Sequence, residues 1–345
     1  VAVVIGLTGC NKVTLVPTST YQDGVRCMSP SLSADGRWLV YTTLDDPSGQ
    51  TLTRKTILRN LRSGTNRELA GWGGGLGSQE AISGDGSRVV LEIPNVSSSG
   101  MSSTNIIYLW TQRSGTRTRI TPLAESNSRP AISSDGRKVA YTSTDGTLLW
   151  LHDVGTATRK AIARPAGLAA TVPLFVRASS STGRFIVLEG GDGKAYVRDT
   201  INGTGWTLPT SGYELGQGID ISGDGRWVAF ALNRPGSVRS QVYVWDRTTG
   251  KATMLTDGGA QVATGQPSID ADGSQLAYTT ADYATGRFSL VTMERATRKT
   301  TVVASASRYF GQPSLAANGA KGAFCSQAQD LAPGATGTPN LYTWG

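Results

Sequence analysis

Short runs in which large apolar residues alternate with small or polar ones recur along the whole chain, separated by clusters of Gly, Ser, Thr and Asp. Trp38-Leu39-Val40-Tyr41, Ile106-Ile107-Tyr108-Leu109-Trp110 and Val242-Tyr243-Val244-Trp245 are typical. A period of two predicts half-buried strands, and no stripe with the 3.6-residue period of a helix competes with it. The runs follow a fixed order. A short strand of small and apolar residues leads into an Asp-Gly turn, where glycine supplies the positive φ that a tight hairpin needs. A strand rich in large residues follows, then a variable loop, a third strand, a second turn and a fourth strand.

The order repeats, as in Ser29-PSLSADGRWLVYTT, Arg129-PAISSDGRKVAYTS and Gln266-PSIDADGSQLAYTT. The turn glycines are Gly36, Gly86, Gly136, Gly183, Gly225, Gly273 and Gly319, spaced by 50, 50, 47, 42, 48 and 46 residues. Four antiparallel strands per repeat make a propeller blade. The expected fold is therefore all-β, a seven-bladed β-propeller over residues 13–345, preceded by an apolar segment, residues 1–12. The last repeat stops after its third strand, and a spare strand, Val13-Thr14-Leu15-Val16, lies at the other end. A closed ring leaves no open sheet edge, so this N-terminal strand is expected to complete the last blade.

Composition narrows the class. The 345 residues carry a formal net charge of +8, 17% are charged, and no run approaches the ~18 apolar residues of a membrane-spanning helix. Three cysteines, Cys10, Cys27 and Cys325, are too few for a disulfide scaffold. Cys27 and Cys325 fall in neighbouring blades, where they could pair in an oxidising compartment or stay as free thiols. With His152 as the only histidine and no Cys-x-x-Cys pair, a zinc site is not expected. The N-terminus reads as the end of an export signal, and Leu7-Thr8-Gly9-Cys10 resembles the lipobox of bacterial lipoproteins, in which Cys10 would be lipidated.

The motif Pro-Ser-Leu-Ser-Ala-Asp35-Gly36-Arg-Trp-Leu-Val-Tyr and its copies resemble the TolB-type propeller repeat, from residue 13 to the end. The resemblance implies an exported envelope protein that docks to lipoproteins or membrane-complex partners. TolB itself has six blades and a separate N-terminal domain, so its role does not transfer automatically.

Candidate sites follow from which loops share a face. Cations outnumber acids on the Asp-Gly turn face, where Arg62, Arg113, Arg117, Arg119, Arg159, Lys160, Arg298 and Lys299 form a candidate basic surface for an anionic membrane or acidic protein. Nucleic acid is not expected, because aromatic residues are not interleaved with these cations. At the opposite face the repeat places Gln79, Glu80, Arg129, Arg177, Gln217, Gln266 and Gln312 around the channel mouth, able to bind a peptide or partner loop. The aromatics Trp72, Phe175, Tyr213, Tyr309 and Phe310 lie in loops of that face and would serve a carbohydrate or peptide receptor. Asp220 and Asp270 are expected to replace the small channel residue in adjacent blades, as weak candidates for a divalent cation or as hydrogen-bond partners of Ser222 and Ser268. No cofactor is implied. Neither a second hydrolase domain with a Gly-x-Ser-x-Gly elbow nor a set of histidines is present, so the chain is expected to be a non-catalytic scaffold rather than an enzyme, with a metal-dependent propeller enzyme as the remote alternative.

Overall fold

The computed structural model describes residues 13–16, 28–45, 53–73, 79–96, 102–210, 212–233, 239–259, 261–335 and 340–345. Cys10, Cys27 and the apolar segment 1–12 lie outside these residues. The described strands form seven four-stranded antiparallel sheets, the seven blades expected. Their first strands, nearest the channel, are Met28–Leu32, Glu80–Ile82, Asn127–Ile132, Leu174–Ser179, Glu214–Ile221, Val262–Ile269 and Ser314–Leu315. Among the described residues no helix is long and apolar enough to cross a membrane.

The Ser-x-Asp-Gly turns show why the repeat folds as it does. Ser33 Oγ donates to Asp35 Oδ1 (2.6 Å) and accepts from Trp38 N (2.9 Å), while Arg37 N donates to the same Asp35 oxygen (2.9 Å). The same lock recurs at Ser83/Asp85, Ser133/Asp135 and Ser222/Asp224. The turn glycine has two duties. Gly86 adopts φ +72°, and a Cβ there would lie 2.3 Å from Cδ1 of Trp38 in the preceding blade.

A belt of backbone hydrogen bonds joins the turns around the channel. It runs from Ala34 N to Gly84 O, Gly84 N to Ser134 O, Asp135 N to Ser181 O, and Ser181 N to Gly223 O. It continues from Asp224 N to Ala271 O and Ala271 N to Ala317 O, and it closes from Ala317 N to Ala34 O. Outside the belt, each interface between neighbouring blades holds its own apolar cluster. Phe185 and Val187 of blade four, for example, meet Phe230 and Trp245 of blade five.

Blade seven is completed as expected. Thr14–Leu15 pairs with Asn340–Trp344 in the register Thr14↔Thr343 and Leu15↔Tyr342, and Val16 N donates to Leu341 O at 2.9 Å. Val16 is 4% exposed, packed with Leu32, Leu39 and Leu341. Cys325 is disulfide-bonded, its partner cysteine lying outside the described residues. If the clasp closes the ring, Val16→Asp leaves an unpaired charge in that cluster and costs about 3–5 kcal/mol, whereas Thr14→Asp at an exposed position changes stability little; chemical denaturation of both variants checks this.

Candidate functional site

The first strands are bent where they reach the channel mouth. Bulges interrupt the pairing of the first and second strands in blades one, three, four, five and six, between Met28 and Ser31, Ser128 and Ala131, Val176 and Ala178, Leu215 and Ile219, and Gly265 and Ser268. A bulge re-aims side chains at a rim. At one repeat position, seven residues before the turn glycine, the backbone is left-handed in three blades: Arg129 (φ 54°), Gly218 (φ 87°) and Gln266 (φ 51°). Glycine adopts this freely, while a residue with a Cβ costs roughly 1–2 kcal/mol. Arg129 and Gln266 are held there by threonines of the second strand: Thr142 Oγ1 donates to Ser128 O (3.2 Å) and Thr279 Oγ1 to Gly265 O (3.1 Å).

The seven side chains expected at the mouth separate into three groups. Gln79, Glu80, Arg177 and Gln312 line a channel cavity of about 300 Å³ with Asp220 on its wall. Gln217 and Gln266, joined by a hydrogen bond from Gln266 Nε2 to Gln217 Oε1 (3.1 Å), line a separate cavity beside it. Arg129 stacks on Phe175, its guanidinium carbon 4.4 Å from the ring centre. A second channel cavity of about 200 Å³, on the Asp-Gly side, shares Ile82, Ile132, Ser179, Asp220, Ser268 and Ser314 with the upper one. These residues form the waist of the channel.

The electrostatics of the mouth come from carboxylates not singled out in the sequence. Six residues after the turn glycine the repeat carries Thr42, Thr142, Ala231, Thr279 and Cys325, but Glu92 and Glu189 in blades two and four. Two acids in an otherwise small, neutral column are the signal that could have found them. Glu92 accepts from Arg129 N (3.0 Å) and Asn105 Nδ2 (2.9 Å), and burial pushes its carboxyl up. Glu189 accepts from Arg177 Nε and lies 3.8 Å from Arg129 Nη1, which is buried and has no hydrogen-bond partner. Burial, then the neighbouring Arg177, push Arg129 below its ordinary value.

Glu80 is a strongly displaced acid. It is 6% exposed, and neither carboxylate oxygen makes a well-formed hydrogen bond. Burial pushes it up to about 8, with Glu92 adding to the shift and Thr42 and Arg54 opposing it.

The channel aspartates differ from expectation. Only Asp220 stands at the channel position, accepting from Ser268 Oγ (2.9 Å) and Ile269 N (3.0 Å), and Ser222 is engaged by Asp224 instead. Asp270 replaces the turn serine, accepting from Gln275 N (3.0 Å) and Ser274 Oγ (2.9 Å). The misassignment arose because blade six carries Asp at both Asp270 and Asp272, so its turn lock is built from a carboxylate rather than a hydroxyl. Among the described residues no three His, Cys, Asp or Glu side chains gather to hold a metal ion. His152, in the third strand of blade three, is 6% exposed and pushed down by burial, a packing position.

The basic candidates also divide. Arg62, Arg113, Arg298 and Lys299 stand on turns, whereas Arg117, Arg119, Arg159 and Lys160 belong to the outer strands Thr116–Arg119 and Thr158–Ala161, on the rim. Arg159 pairs twice with Glu125 (2.6 Å each), Lys160 donates to Thr200 O (2.9 Å), and Arg117 lies over Tyr108. Of the loop aromatics, Tyr309 is 54% exposed and Phe310 is 1% exposed, packed on Phe324.

A profile of the TolB beta propeller domain matches residues 129–333. No curated protein matches the chain. Among solved structures, oligogalacturonate lyase from Vibrio parahaemolyticus is 14% identical with a TM-score of 0.67, covering 97% of this chain and 93% of that one. An oligogalacturonate lyase in complex with manganese is 14% identical (TM-score 0.66) and covers 98% of both chains. The β-propeller domain of the Trilobed protease from Pyrococcus furiosus is 12% identical (TM-score 0.65), covering 94% of both, and was described as having an open velcro topology. These likenesses concern the fold. They overturn the expectation that this chain is not an enzyme: that expectation rested on a missing hydrolase domain and missing histidines, and a lyase built almost wholly of this ring needs no second domain. The described residues do not supply a His, Cys, Asp and Glu set to fit a manganese ion.

The displaced Glu80 predicts a pH signature. A carboxyl raised in the folded state contributes stability below the ordinary carboxylate range and loses it as pH rises toward about 8. Glu80→Gln removes this dependence. Its stability relative to the wild type is expected to rise steadily between pH 4.5 and 8 and then level off, as melting curves across that range will register.

Proposed function

Because the chain belongs to the TolB beta propeller domain family, we propose that it is an exported binding module of the cell envelope that takes an extended segment of its partner, rich in hydrogen-bond acceptors, into the channel mouth. The observation carrying this reading is Arg129. Its backbone is held in a costly left-handed conformation, and its buried Nη1, 3.8 Å from the Glu189 carboxylate, makes no hydrogen bond. Strain and an unmet donor at one rim position are costs that folding alone does not require, and they concentrate where ligands bind. Arg177 and Gln312 supply further donors on the cavity wall.

Two features support an envelope setting. The disulfide at Cys325 suits an oxidising compartment. A lipid on Cys10 would hold the ring at a membrane, and the turn cations Arg62, Arg113, Arg298 and Lys299 would favour an anionic lipid surface. A photo-crosslinking residue in place of Gln312 is expected to capture the partner in native cells, and the adduct should be lost when Arg129→Gly is added. Adducts formed only from the turn face, with the crosslinker at Arg113, would end this reading.

A second reading is catalytic and rests on Glu80. On this reading Glu80, whose carboxyl is pushed up to about 8 and which lines the same cavity as Arg177, exchanges a proton with a bound acidic substrate. Incubation with oligogalacturonate should then generate the double bond that a lyase leaves in its product, at a rate at least 100-fold lower in Glu80→Gln.

A further inference from the structure

The mouth face carries a second cavity beside the channel. It lies over blade six, between Gln217 and Asn233 on one side and Tyr309 and Phe310 on the other, and has a volume of about 350 Å³. Its chemistry differs from that of the channel cavity, which Glu80, Arg177 and Asp220 line. Asn233, Ser240, Gln266, Thr280, Tyr283 and Tyr309 supply its polar lining, and none of the side chains lining it carries a charge. In a chain with 33 basic and 25 acidic residues, a polar cavity without a charge selects against ionic ligands and for amide or hydroxyl partners.

Two further observations point to an occupant. Tyr283 and Tyr309 are 51% and 54% exposed, unlike the buried tyrosines of the blades. They offer ring faces beside hydroxyl and amide groups, the combination that takes the C–H face of a sugar ring while its hydroxyls are hydrogen-bonded. Gln266 holds its Nε2 on Gln217 Oε1 (3.1 Å), and its own Oε1 is buried without a hydrogen-bond partner. Gln266 lines the cavity and has a left-handed backbone, so an acceptor on the cavity wall is left unmet by the fold.

We propose that this side cavity is a binding site for a neutral saccharide, one or two rings in size, stacked on Tyr309 and Tyr283 and bonded to Gln266 and Asn233. Its volume lies at the small end of the roughly 300–1,000 Å³ range of ligand pockets, which suits a mono- or disaccharide. The site is separate from the channel cavity and does not depend on what enters the channel. Arg239, whose guanidinium carbon is 5.7 Å from the Tyr283 ring centre, marks the rim.

The test is saturation-transfer NMR and calorimetry on the full chain with maltose, cellobiose and chitobiose as probes, beside an uncharged peptide of similar size. At least one disaccharide should receive saturation at its ring C–H protons, with an affinity that does not change between low and high salt. Tyr309→Ala should weaken binding at least tenfold and Tyr309→Phe should retain it, while Arg177→Ala leaves it unchanged. Because Tyr309 is half exposed, its variants should keep the wild-type melting temperature. The proposal is overturned if no disaccharide binds, if only the peptide binds, or if Tyr309→Ala binds as the wild type does. Loss of binding in Arg177→Ala with retention in Tyr309→Ala would place the sugar in the channel and also overturn it.

Discussion

The belt of backbone hydrogen bonds from Ala34 through Gly84, Ser134, Ser181, Gly223 and Ala271 to Ala317 and back sets the diameter of the ring. A blade can contribute to it only if the residue between the turn serine and aspartate is small. A Cβ on Gly84 would fall 2.0 Å from Ser134 Oγ, and one on Gly223 2.4 Å from Ser181 Oγ. Every blade obeys, with Ala, Gly or Ser at that place. The apolar clusters supply most of the burial, but they are wedges between blades and do not by themselves fix how many blades close the circle. The belt and the clasp do.

Because the belt is confined to the turn side of the channel, the two ends of the ring are unlike. Near the turns the serine and aspartate locks leave little freedom. At the mouth the first strands bulge, and polar groups there are less completely satisfied, as Glu80, Arg129 and Gln266 show. A rigid base permits a strained rim, since the cost of the left-handed Arg129 and Gln266 is borne by a scaffold with stability elsewhere. The blades also differ in chemistry at the mouth: acids and arginines over blades two to four, and uncharged polar groups with tyrosines over blade six.

Blade number, turn chemistry and the displaced last strand were legible because each depends on a local rule repeated many times. Seven Asp-Gly-like turns and one spare strand leave few alternatives. The mouth was less legible because its geometry depends on bulges, which add a residue to one strand and shift which side chain faces the channel. Hence Arg129, expected to ring the mouth with its neighbours, instead stacks on Phe175, and Gln217 and Gln266 turn into a side cavity. Asp270 was misplaced for a related reason: an aspartate can replace the serine of the turn lock, and a linear reading does not tell a lock from a channel wall. Glu92 and Glu189 were hidden by treating the second strand only as core. The enzyme question was argued from missing domains, although a ring of this shape can hold reacting groups without them.

The clasp strand also gives the molecule an orientation. Thr14 stands opposite Thr343, near the turn end of blade seven, where Trp344 pairs with Gly322 and Gly345 lies against Lys321. The chain therefore enters the ring at its circumference on the turn side and runs toward the mouth side. An attachment made through the chain ahead of Val13 would therefore act at the edge and turn side of the ring, and the channel mouth lies at the other end. Such an attachment would do more than retain the protein: it would decide which side of the disc faces the anchoring surface and which is left open.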